Sequence, residues 1–196
     1  VASDQESIIH ALADSLGQYL VSEIGELEEY YPEFPQQNEE IEIPSVSIIS
    51  SSNQFRALPP YQCEDTGTVK KNKAQIMYAV GIYDITLQVD LWARNKAERD
   101  ELYRLAFDAL NPDIQPMGLR LVVEEYYGQI ANLLYTDHEL PDNGESSQVD
   151  EWRAILTVQA TCKAIRCRSE FIITETQTAA EIEDAGQIDE TVIVSE

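Results

Sequence analysis

Between Trp152 and Cys162 the chain alternates without a break: Trp152, Ala154, Leu156, Val158, Ala160 and Cys162 fall on one side, and Arg153, Thr157, Gln159, Thr161 and Lys163 on the other. A period of two held this long reads as a strand with one buried face and one wetter face. Such a strand needs a sheet around it and a second layer against its apolar side.

The remaining elements supply both. Ile9, Leu12, Ala13, Leu16, Leu20, Ile24 and Leu27 recur at helical spacing behind Ser3-Asp4-Gln5-Glu6, which has the form of a capping box. That helix is expected to stop near Glu29, because Tyr31-Pro32 and Phe34-Pro35 push the backbone away from the α region. Ile41, Ile43, Val46 and Ile48 read as a strand that changes parity at Pro44, which implies an edge strand or a bulge. The stretch from Ser50 to Lys73 is polar and broken by Pro59-Pro60 and Lys70-Lys71-Asn72-Lys73, so it reads as a long loop. Ile76, Tyr78, Val80 and Ile82 then alternate on even positions, and Ile85, Leu87, Val89 and Leu91 on odd ones. One buried face survives that change only with a bulge near Tyr83-Asp84, after Gly81.

Asn95 and Glu98 form a cap and its return partner for a second helix, with Leu102, Ala106 and Leu110 as its stripe, Tyr103 and Phe107 beside it, and Asn111-Pro112 as its end. Glu98, Arg99, Asp100, Glu101 and Arg104 fall mostly on its wet side. Leu119, Leu121 and Val123 make a further strand, with Leu133-Leu134-Tyr135 as its return, and 137–148 is rich in turn residues. The order predicts an α+β fold: a mostly antiparallel sheet, an N-terminal helix and a second helix packed on one face, with long loops. One domain over 1–173 is followed by an extended acidic tail or arm over 174–196. The plain reading of that tail is a solvated segment, and the sharper one is that Thr191-Val192-Ile193-Val194 adds as a strand to a neighbour's sheet edge.

Charge narrows function. With 36 Asp and Glu against 13 Lys and Arg in 196 residues, the formal charge is −23. Non-specific duplex binding draws its energy from Lys and Arg neutralising phosphates, so the charge argues against a DNA-coating role. An apolar share of 43% is nonetheless enough for a core. No apolar run reaches the length of a membrane span, and the expectation is a soluble protein of cytoplasmic synthesis. Every basic residue lies between Arg56 and Arg168, leaving both ends purely anionic.

The chain contains no phosphate-binding glycine loop, GxSxG, HExxH or CxxC. Cys63, Cys162 and Cys167, with His10 and His138, offer few metal ligands; Cys162 reads as a small buried thiol and His138 as a surface histidine. No catalytic, cofactor or metal residue is assigned. The residues expected to touch a partner or a neighbouring subunit are Lys70, Lys71 and Lys73, and Val192, Ile193 and Val194. Trp92 and Trp152 read as core or interface packing.

The run Tyr83-Asp84-Ile85-Thr86-Leu87-Gln88-Val89-Asp90-Leu91-Trp92-Ala93-Arg94-Asn95-Lys96-Ala97-Glu98-Arg99-Asp100-Glu101-Leu102 resembles the strand-to-helix unit of tail terminator (tail completion) or neck proteins of long-tailed bacteriophages. The strand Glu151-Trp152-Arg153-Ala154-Ile155-Leu156-Thr157-Val158 resembles that family's closing strand, and the opening helix its first element. The resemblance covers about a third of the chain and is one of structural pattern. It implies a non-enzymatic virion protein, without cofactor, made in the host cytoplasm. The subunit would close a ring, commonly a hexamer, at the head-proximal end of a tail. Its partners would be its own copies, the tail tube or sheath protein and the head-tail connector or stopper, with DNA passing through without specific binding. The segment from Ser50 to Lys73 and the acidic tail depart from the pattern and leave open another neck, collar or minor capsid role. The charge keeps a second class in view, an acidic binding module or DNA mimic; a small hydrolase is the third.

Overall fold

The computed structural model describes residues 2–33, 42–59, 63–70, 73–111, 118–141, 152–171, 177–182 and 188–193. In chain order the elements are α1 (Ala2–Glu23), β1 (Glu29–Tyr31), β2 (Ser45–Ala57), β3 (Cys63–Lys70), β4 (Lys73–Ala93), α2 (Lys96–Leu110), β5 (Leu119–Val123), β6 (Gln129–Glu139), β7 (Trp152–Phe171), β8 (Gln177–Ile182) and β9 (Ile188–Ile193). Two compact units result. Unit 1 comprises Val1–Ala57 and Gly81–Ala164, and unit 2 comprises Leu58–Val80 and Ile165–Glu196, so β4 and β7 each contribute to both.

Unit 1 is α+β, with strands in the order β1-β2-β4-β7-β6-β5. β1 joins β2 in parallel, while β2 with β4, β6 with β7 and β5 with β6 are antiparallel. Asp84 meets Thr161 and Asp90 meets Arg153, so β4 and β7 also run in opposite directions. Both helices cover one face. α1 packs on β1, β2 and β5, and α2 on β6.

The alternation read from the sequence places the core there. Ala154, Leu156, Val158, Ala160 and Cys162 of β7 are buried with Ile85, Leu87, Val89 and Leu91 of β4 and with Leu12, Leu16 and Leu20 of α1. Each large aliphatic side chain so placed stabilises the fold by about 1.5–3 kcal/mol. Asn95 caps α2 as expected, its Oδ1 accepting from the Glu98 N–H at 3.0 Å, and Leu102, Ala106 and Leu110 are buried.

Several expectations are corrected. α1 already includes Ala2, so Ser3 lies inside the helix, and it ends at Glu23 instead of near Glu29. Gly25 follows, and the Glu28 N–H is taken by the Pro44 carbonyl at 2.8 Å, which directs the chain into β1. β2 starts at Ser45, just after Pro44, and is flanked by β1 from Ser45 to Ser47; from Ile48 onward it pairs with β4 alone among the described residues. Its register shift falls between Ser50 and Ser52, while β4 runs without a skip from Gly81 to Trp92. The bulge expected near Tyr83-Asp84 is absent because Ile82 belongs to the opposite, half-buried face, and Tyr83, Ile85 and Leu87 continue the buried side set by Ala79. Gly81 has another reason to be glycine: a Cβ there would collide with the Phe55 ring and the Arg56 carbonyl.

The stretch from Ser50 to Lys73 is largely strand, with β2 continuing to Ala57 and β3 spanning Cys63–Lys70. Polar residues can sit in strands whose backbone groups are paired. In unit 2, β3 pairs antiparallel with β4 from Cys63 opposite Tyr78 to Lys70 opposite Lys73, with a shift between Asp65 and Val69. The expected solvated tail also contains paired backbone, since β8 and β9 form a two-stranded antiparallel sheet.

Candidate interaction surfaces

The face of the unit 1 sheet turned away from the helices begins as a polar surface. Ser52 and Gln54 of β2, Asp84 and Thr86 of β4, and Gln159 and Thr161 of β7 line an open groove of about 210 Å³. Asp84 holds Arg56 through two guanidinium bonds at 2.7 and 3.2 Å and accepts from the Thr161 hydroxyl at 3.2 Å. The Ser52 hydroxyl donates to Thr86 Oγ1 at 3.1 Å. These bonds join three adjacent strands, and their donors and acceptors can also meet a polar partner.

Further along the same strands the polar groups sink. Asp90 is 0% exposed; Gln88 Nε2 donates to both its oxygens, at 3.2 and 2.9 Å, and Arg153 Nε stands 3.6 Å away. Burial pushes the Asp90 carboxyl above its ordinary range, while the Gln88 hydrogen bond and the Arg153 charge pull it back. Arg153 also lies over the Trp92 ring at 5.5 Å, and Trp92 Nε1 donates to Ser47 Oγ at 3.0 Å. Trp92 is thus core, as read from the sequence. Ser45 Oγ is buried without a hydrogen-bond partner, alone in this among the described residues. The cluster ties β2, β4 and β7 together and leaves one carboxylate at an energetic cost.

Toward the edge the same face becomes apolar. Val122 of β5 stands opposite Ile130 of β6, and Leu134 lies farther along β6 on the same side. Their exposures are 47%, 43% and 49%; Val122 and Ile130 form an exposed apolar pair beside a strand edge unpaired among the described residues, and the exposed Arg120 and Asn132 separate that pair from Leu134.

The helix side carries an aromatic cluster. Tyr103 stacks on His138 with centroids 4.7 Å apart, Phe107 meets Tyr135 edge-on at 5.2 Å, and Tyr135 Oη lies 2.6 Å from His138 Nδ1. Burial, then the hydrogen bond with Tyr103, raises the Tyr135 phenol above its ordinary range, so it keeps its proton and orients the imidazole. The shift between Tyr135 and Asp137 in the β6–β7 pairing turns His138 to this side. His138 is exposed, as the sequence reading has it. Arg99, expected on the wet side of α2, is instead buried. Its guanidinium donates to the Pro141 carbonyl at 2.8 Å, holds Asp100 at 2.7 Å and lies over the Trp152 ring.

Of the residues expected to make contacts, Lys70 closes β3 and Lys73 opens β4 as direct cross-strand partners, while Lys71 lies outside the described residues. Val192 pairs with Thr178 and Ile193 with Gln177 in the β8–β9 sheet, and Val194 lies outside the described residues. Both sets therefore belong to unit 2. Cys162 is buried, its thiol pushed up to about 12 chiefly by that burial, with Asp84 adding to it. Cys63 opens β3 and Cys167 lies in β7. The exposed apolar pair and the Asp90 cluster escaped the sequence reading. Val122 and Ile130 do alternate with buried neighbours, but only pairing shows that they adjoin.

Among the described residues no group of three or more His, Cys, Asp or Glu side chains is placed to hold a metal, and no helix is long and apolar enough to cross a membrane. No protein-family model matches this chain, and no curated protein matches it.

Proposed function

We propose that this chain is a virion structural subunit, a tail terminator whose copies close a ring at the head-proximal end of a phage tail. Six copies is the order the resemblance implies, with the tail tube or sheath protein on one side and the connector or stopper on the other. The observation that supports this best is the reach of β4 and β7, at 21 and 20 residues against a mean strand of about 5–6. Both outrun unit 1 and continue into unit 2. A subunit with two bodies on continuous strands has separate surfaces for the neighbours on its two sides, which head-to-tail ring contacts require. The charge of −23 suits a bore through which DNA slides, since like charge keeps the duplex from adhering to the wall. Carboxylates would line that bore.

Mass photometry and negative-stain imaging of the purified chain test the reading, with closed rings as the expected result. A chain that stays monomeric at every concentration overturns it. A monomer that takes up one basic protein in a fixed ratio would instead make it an acidic binding module.

A further inference from the structure

Among the described residues the unit 1 sheet ends at β5, which pairs with β6 alone. An antiparallel edge strand spends half of its N–H and C=O groups on its neighbour and presents the rest outward. Proteins blunt such edges with lysine, proline or a bulge. β5 reads Leu-Arg-Leu-Val-Val, with no proline, and its ladder to β6 runs without a shift. The exposed apolar pair of Val122 and Ile130 lies directly beside this edge. Arg120, two residues before Val122 on the same exposed face, is a base without an ion pair among the described residues, in a chain where acids outnumber bases 36 to 13.

Unit 2 contains a strand in the complementary condition. Among the described residues β9 pairs through one edge with β8, and the two form a sheet by themselves. A two-stranded ribbon is marginal in water and gains stability from a third strand. β9 reads Ile-Asp-Glu-Thr-Val-Ile, β-branched at Ile188, Thr191, Val192 and Ile193 and acidic between them.

Resting on the ring reading, we propose that β9 of one copy adds to the β5 edge of a second copy. The register follows from spacing. Arg120 and Val122 are two residues apart on one face, and so are Glu190 and Val192. Parallel addition sets Glu190 beside Arg120 and Val192 beside Val122, matching charge with charge and apolar with apolar. The antiparallel order that keeps Glu190 beside Arg120 brings Ile188, instead of Val192, beside Val122, so the residue that meets Val122 reports the direction of the added strand. Main-chain bonds supply the attachment and the side chains its register. An edge on one surface and its partner strand on another make a heterologous contact, the kind that propagates from subunit to subunit and closes into a ring.

The test is disulfide trapping in the full chain with Cys63, Cys162 and Cys167 replaced by Ala. Val122→Cys in one chain is mixed and oxidised with Val192→Cys in another and, separately, with Ile188→Cys, because adjacent strands bring such pairs within bonding distance. A mixed dimer is expected with one of the two, Val192→Cys for parallel and Ile188→Cys for antiparallel addition, and a chain carrying the reactive pair should give a ladder of multimers. A disulfide that closes only within one chain, or none with either partner, overturns the proposal. Independently, Arg120→Glu should weaken self-association about tenfold, and Glu190→Arg in the same chain should restore it. Full association in both Arg120→Glu and Val192→Pro, with rings still visible by negative stain, overturns the strand addition and leaves the ring. An unmodified chain that never associates overturns both.

Discussion

Leu87 and Thr86 are neighbours on β4, yet they belong to different kinds of surface. Leu87 is 0% exposed on the helix-facing side of the sheet, the side it shares with the buried Ile85, Val89 and Leu91. Thr86 is half-buried on the far face and accepts a hydrogen bond from Ser52 beside the polar groove. One face gathers stabilisation from apolar area removed from water; the other holds hydrogen bonds that trade closely against water. The difference teaches that a sheet can place most of its stability on one side and keep the other for contacts. The exception is the end of that side where Ser45, Ser47 and Trp92 are buried together with Asp90, a fully buried carboxyl.

If that division is correct, Leu87→Ala should be the most damaging of three substitutions. It removes a fully packed side chain and leaves a cavity, at a cost of about 2–5 kcal/mol read from the denaturant midpoint. A loss under about 1 kcal/mol would mean that the helix layer contributes little.

Asp90→Asn should act in the opposite direction, and only in one pH range. Because the folded carboxyl titrates above its unfolded value, its contribution to stability is fully present below the unfolded range, about pH 3.9. It is lost as pH rises through the folded value. The variant should therefore match the parent near pH 3–4 and exceed it by about 1 kcal/mol at pH 7. Urea titrations at the two pH values decide this, and a variant less stable at pH 7 would show that the contacts with Gln88 and Arg153 outweigh burial.

Thr86→Ala should change stability by no more than about 0.5 kcal/mol, since its hydroxyl meets another hydroxyl and solvent can replace it. A thermal melt is sufficient; a loss comparable to that of Leu87→Ala would abolish the contrast.

Much of unit 1 was legible in the residues. The alternation of Ala154 to Cys162, the Asn95 cap and the Leu119 and Leu133 strands all stand where local pattern puts them, because each is a short-range rule of spacing or hydrogen bonding. The strands inside 50–73 were not legible. Ser-Ser-Ser-Asn and Cys-Glu-Asp-Thr-Gly carry no apolar alternation, and they are strand because β4 lies alongside and accepts their backbone bonds. The change of parity along β4 was visible but misread. Ile82 is apolar on the opposite face, where half-burial tolerates it, so no bulge is required.

The surfaces were less legible than the fold. Lys70 and Lys73 stand out in the sequence as charge, but their direct cross-strand pairing needed the hairpin. Arg99 looks like a wet-side helix residue until Trp152 and the Pro141 carbonyl enclose it. Val122 and Ile130 are two ordinary residues until β5 and β6 are laid in register.

Sequence alone determined the fold class, the anionic character and the identity of the helix-facing core, since periodicity, capping and net charge are properties of neighbours along the chain. Tertiary structure decided which polar stretches became strands, which charges were buried and which apolar residues met at a free edge. Those outcomes depend on backbone partners and desolvation contributed by residues far away in sequence, a long-range term that no local pattern contains.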